Sequence, residues 1–164
     1  MNSRADAHRI EGRDALVAAI IELLAQARQR VRLHAPRLET GVWADPRVVD
    51  AIRGFVTGRS HRELQLLVER DVELLREPAG LVALHQRLPT LIRVRTPQDD
   101  EFLPEPRLFL LADNGGLLLG DVDPRASGAE FTHAEAGTSQ VLAERFDQAW
   151  LRANPMTGLR ALGL

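Results

Sequence analysis

Cysteine, lysine and tyrosine are all missing from this 164-residue chain. Without cysteine there is no disulfide framework, no thiol nucleophile and no thiolate ligand for zinc or an iron–sulfur cluster. Without lysine there is no Schiff base, no P-loop lysine and no lysine general base. All 21 basic residues are therefore arginine. Aromatic residues are scarce, five phenylalanines and two tryptophans, so there is no interleaved platform on which nucleic-acid bases would stack. No apolar run approaches the ~18 residues that a membrane helix needs. The longest, ALVAAIIELLAQA (15–27), is interrupted by Glu22 and patterned for one helix face. The opening MNSRADAHRIEGRD has no apolar core for a secretory signal. Serines occur in no GxSxG elbow, and glycine-rich dinucleotide or P-loop patterns are absent. These absences predict a cytoplasmic protein with no membrane partner, no cofactor and no nucleic-acid partner.

What is present is ordinary globular material, 45% hydrophobic and 27% charged with a net charge of -2, enough to bury a single core. The expected unit is one domain over 1–164, with a core at about 12–153 and a tail at 154–164. Charge is uneven along it. Up to His61 arginines outnumber acids, whereas between Asp99 and Glu135 acids dominate and Arg107 and Arg125 are the only bases. An acidic segment of this kind repels phosphate and nucleic-acid backbones.

Hydrophobic periodicity predicts a helix over 10–29, a strand over 30–36 ending at Pro36, and a helix opened by Asp45-Pro46 that runs to Gly58. A strand follows in HRELQLLVER (61–70), whose unbroken Leu66–Val68 run suits burial on both faces. Then come a short helix over 80–89, an alternating strand over 91–97, two strands around a turn in PRLFLLADNGGLLLGDVD (106–123), and a helix at about 135–153. That last helix is expected to turn Val141, Leu142, Phe146, Ala149 and Trp150 inward. Strands alternating with helices predict a mixed, mainly parallel sheet covered by helices on both faces, with the hairpin adding antiparallel strands.

The hairpin carries a resemblance. The phospholipase D superfamily uses His-x-Lys-x4-Asp, followed at fixed distance by Gly-Gly/Ser-x-Asn, on such a hairpin. With the motif aspartate set on Asp113, Gly120 falls where the family's glycine belongs. The order of elements over roughly 12–152 also resembles one phospholipase D half-domain. More specifically, the chain resembles a bacterial family of such half-domains, some of them joined to or encoded near GNAT-type acetyltransferases. The resemblance implies an α/β half-domain. It also implies a homodimer, since catalytic single-motif relatives dimerise to complete one site, and it suggests an acetyltransferase as a further protein partner.

The chemistry of that family is not carried over. Pro106 stands at the nucleophilic histidine, Leu108 at the lysine, and Asp121 and Asp123 at the serine and asparagine positions. Proline is no nucleophile, leucine balances no phosphate charge, and two extra carboxylates repel a phosphodiester. Covalent attack and its electrostatic support act as a unit, so losing both removes the reaction. The expected role is a non-catalytic module for interaction, oligomerisation or accessory work.

Other chemistry remains open. Asp121 and Asp123, two apart at a strand end, share one face and with Glu105 or Glu101 could hold Mg²⁺ or Ca²⁺ in a metal-assisted hydrolase, although a solvated strand end is the simpler reading. His34 sits at the carboxyl end of the first strand, where α/β sheets bind ligands. Arg28, Arg30, Arg32 and Arg37 cluster around the first strand, and Arg93 and Arg95 alternate on the third. These arginines could form a basic face for an anion if the strands are neighbours, the simpler reading being arginines that solvate strand ends and pair with acids. Asp113, Asn114, Gly115 and Gly116 read as turn chemistry, with side-chain-to-backbone bonds and positive φ.

Overall fold

The computed structural model describes residues 7–36, 40–69, 80–98, 108–120, 129–132 and 136–155. In chain order the elements are β1 (Ala7–Ile10), α1 (Arg13–Gln26), β2 (Arg30–Ala35), α2 (Thr40–Trp43), α3 (Pro46–Gly58), β3 (Glu63–Val68), α4 (Leu81–Arg87), β4 (Ile92–Thr96), β5 (Leu108–Ala112), β6 (Leu117–Gly120), β7 (Ala129–Thr132), α5 (Ala136–Arg152) and β8 (Asn154–Pro155). They build one mixed sheet of order β1-β7-β6-β5-β2-β3-β4-β8.

The α/β class, the helices on both faces and the hairpin are as expected. The balance of strand directions is not. Only β2–β3 and β3–β4 pair in parallel, and the other pairings among the described residues are antiparallel. Helix-linked crossovers produce parallel neighbours only as long as they continue, and here they end at β4. The chain then returns as β5 on the free side of β2, in the opposite direction. β1, β7 and β8 are two to four residues long, too short for periodicity to register.

Alternation along each strand sorts the core into two layers. Val31, Leu33, Leu64, Leu66, Ile92, Leu110 and Leu118 join Val17, Ile20, Leu23, Val48, Ile52 and Phe55 of α1 and α3 in the larger one. On the other face Leu67, Phe109, Leu111 and Leu117 meet Phe146 and Trp150 of α5. Phe146 stacks on Trp150 at 5.8 Å between ring centroids and meets Phe109 edge-on at 6.2 Å. Trp43 and Trp150 are both buried. The expected inward set on the last helix holds except for Val141, which is 47% exposed. The outer edge of β4 is closed locally. The Ile92 N–H donates to the Leu88 carbonyl at 2.9 Å, and the Ile92 carbonyl bonds His85 Nδ1, which blunts an edge that would otherwise invite another strand.

Asp45 starts α3. Its carboxylate accepts the Arg47 N–H at 2.9 Å and is gripped by the guanidinium groups of Arg47 and Arg13, while Pro46 supplies the first helical residue. The side-chain bonds from Arg47, then its backbone N–H, outweigh the cost of burial and lower the Asp45 pKa from 3.8 to about 2. A depressed carboxyl contributes stability that is complete above its unfolded value and is lost as pH falls toward its folded one. Denaturant midpoints are therefore expected to drop between pH 4 and 2, and Asp45→Asn should flatten that limb. A variant whose acid limb matched the parent's would contradict the assignment.

Candidate functional site

The hairpin β5–β6 runs from an open end, where Leu108 pairs with Gly120, to a turn at 113–116. Asn114 and Gly115 make the turn. The Asn114 side chain accepts the Gly116 N–H at 3.1 Å, and Gly115 takes φ 93°, which suits a residue without Cβ. Gly115 is the only one of the four with positive φ. Asp113 acts elsewhere. Its carboxylate accepts the backbone N–H groups of Arg28 and Gln29 at 2.8 Å each and reaches that of Arg30 at 3.4 Å. Its own N–H donates to the Arg30 carbonyl at 3.1 Å. Asp113 thus clamps the hairpin tip onto the entry to β2, a bond pattern spanning 85 residues that turn chemistry does not anticipate.

At the open end, Leu108 is half-buried and packs against the larger core layer. Gly120 sits directly across from it. Pro106, Asp121 and Asp123, with Glu101 and Glu105, lie outside the described residues. Among the described residues no three histidine, aspartate or glutamate side chains gather as metal ligands.

His34 stands at this end of the sheet but on its other face. It pairs with Phe109 rather than Leu108 in the sheet register, so its side chain lies on the α5 face and that of Leu108 on the opposite one. The ring is fully buried, meets Phe109 at 5.2 Å, and has Nε2 3.2 Å from a Glu69 carboxylate oxygen. The arginines are likewise placed apart. β3 lies between β2 and β4, so Arg32 has no strand neighbour in Arg93 or Arg95. Arg32 makes a two-pronged bond to Asp147 of α5 at 2.9 and 3.0 Å, a geometry that matches guanidinium to carboxylate. Arg93 bonds Glu63 and lies 5.6 Å from the Trp150 ring centroid. Arg95 stacks on the same ring at 4.4 Å and donates to the Trp150 carbonyl at 2.7 Å.

The sheet face beneath α5 is thus apolar under its hairpin half and ionic under β2, β3 and β4. Glu63 is the hub of the ionic part, bonding Arg30 at 2.7 Å as well as Arg93. Sequence reading missed Glu63, Glu69 and Asp147 as partners. Each meets its partner across 30 or more residues, and no local spacing reports that.

A family model covers residues 12–162, described as "Domain of unknown function (DUF7931)". The chain belongs to that family. No curated protein matches its sequence. Solved structures do resemble its fold. NucT from Helicobacter pylori aligns with a TM-score of 0.64 at 12% identity, over 92% of this chain and 97% of NucT. The phospholipase D family member Nuc from Salmonella typhimurium aligns at 0.60 and 12%, over the same shares. TrmBL2, an archaeal chromatin protein with a novel mode of DNA binding, aligns at 0.62 and 12%, and this chain spans about half of it, 53%. At such identities the likeness establishes a fold, and that fold is phospholipase D-like. Nearly complete coverage of Nuc and NucT, beside partial coverage of TrmBL2, fits a half-domain. Among the described residues no helix is long and apolar enough to cross a membrane.

Proposed function

We propose that this chain is a non-catalytic phospholipase D-like domain that serves as an interaction, oligomerisation or accessory module. One observation carries the reading: Leu108, paired with Gly120 at the open end of the hairpin, puts hydrocarbon packed on the core where the superfamily places its phosphate-neutralising lysine. A half-buried aliphatic side chain offers no charge to a developing phosphorane, and electrostatic support is usually the largest single contribution to such a reaction. No other lysine of the chain replaces it, and Pro106 holds the nucleophile position. Asp113, the motif residue that persists, is engaged with backbone amides.

The first partner to test is a second copy of the chain, joined about a two-fold axis so that the same surface is used twice. A protein partner such as an acetyltransferase is the next. Light scattering after size exclusion at micromolar concentration is expected to give about twice the 18.2 kDa chain mass, and a phosphodiester such as bis(p-nitrophenyl) phosphate is expected to remain intact. A monomer would remove the self-association, and turnover above the buffer blank would remove the non-catalytic reading.

A further inference from the structure

We propose an oxyanion-binding site for a phosphate-sized ligand at the turn end of the sheet, opposite the end where Leu108 meets Gly120. The site is a concavity of about 230 Å³ lined by Gln29, Arg30, Arg32, His61, Glu63 and Asp113. That is below the volume of pockets for drug-sized ligands, about 300 Å³ and upward, and suits a small ion with its hydration.

Two carboxylates in the lining do not make it an acid site. Asp113 accepts three backbone N–H groups, and Glu63 is bracketed by Arg30 and Arg93. The donors are not used up. A guanidinium carries five N–H donors, and Arg30 engages Glu63 through Nε while its side chain stays 45% exposed. Arg32 binds Asp147 through Nε and one terminal nitrogen, leaving the other. Gln29 and His61 add side-chain donors at the rim. The loops that carry them also hold Arg28 and Arg59, both exposed and without an ion-pair partner among the described residues. The local balance therefore favours an anion, in contrast to the acid-rich stretch that follows Asp99 in the chain.

His61 supplies an independent observation. It is the only non-glycine among the described residues with positive φ, 65°. An L-residue held there is strained, and such strain collects at ligand sites. For stability alone glycine would serve better at this position. A purely structural histidine and a ligand-binding one thus respond differently to replacement.

Calorimetric titration of the whole chain at low ionic strength, with inorganic phosphate and in parallel with glycerol phosphate, tests the proposal. Saturable binding at one site per chain is expected. It should weaken at least tenfold in Arg30→Gln and in His61→Gly, with the melting temperature of His61→Gly unchanged or raised. Arg9→Gln removes the same charge from the exposed β1 edge and should bind like the parent. Tighter binding of glycerol phosphate would assign the site to a monoester, and equal or weaker binding to free phosphate. Absence of saturable binding up to 10 mM of either, about -2.7 kcal/mol by the relation between affinity and free energy, would overturn the site. So would equal weakening by Arg9→Gln, which would mark diffuse charge attraction.

Discussion

Asp113→Ala is expected to lower the unfolding free energy by about 2–4 kcal/mol, read as a fall in the urea midpoint at unchanged slope. A hydrogen bond to a charged group contributes roughly 1.5–3 kcal/mol. Asp113 makes two such bonds at 2.8 Å and a longer third. The amides are near the surface, so water recovers part of the loss and the total stays below the sum. The bond from the residue 113 N–H to the Arg30 carbonyl and the β2–β5 ladder are backbone contacts that alanine keeps, which also limits the loss. Asp113→Asn should cost less, because one oxygen still accepts while its amide opposes an N–H donor. The effect would be a large share of the 5–15 kcal/mol that holds a typical domain. A loss under about 0.5 kcal/mol would show that solvent replaces the clamp entirely.

Gly80→Ala is expected to cost about 2–5 kcal/mol. Gly80 caps the start of α4 with φ 71° and ψ -124°, a region that residues with a Cβ avoid. An added Cβ would lie 2.7 Å from the Ala44 Cα and 3.1 Å from the Trp43 carbonyl oxygen. Backbone strain contributes about 1–3 kcal/mol and overpacking a further 1–3 kcal/mol. The contact joins α4 to the α2–α3 link, so relief requires moving a helix. Gly54→Ala is the matched comparison. Gly54 is exposed in α3 with nothing within 4 Å of its added Cβ, and alanine there should stabilise by about 0.5–1 kcal/mol. Equal effects at the two positions would contradict the close-approach account.

How much of this was legible beforehand follows from the range of each interaction. Asp45-Pro46 announced α3 because capping is completed within three residues. Leu66–Val68 announced a strand buried on both faces because burial of neighbours on both sides leaves no polar alternation. The hairpin was legible from Asn114-Gly115 between apolar runs. Val141 was misread because it stands about 140° of helical rotation from Phe146, off the stripe that Leu142, Phe146, Ala149 and Trp150 share. Asp113 was assigned to its own turn because local bonding is all that a sequence window contains.

The sequence by itself determined the layer class, the principal helices and strands, and the absence of lysine from the whole chain, since these depend on residue identity and short-range spacing. The tertiary structure alone decided that β5 returns antiparallel to β2, that Arg32, His34, Arg93 and Arg95 are separated and taken up by Asp147, Glu69, Glu63 and Trp150, and that Asp113 closes onto residues 28–30. Each of these is a contact across 30 or more residues. Such contacts are set by which strand lies beside which, a global packing solution that no local pattern encodes.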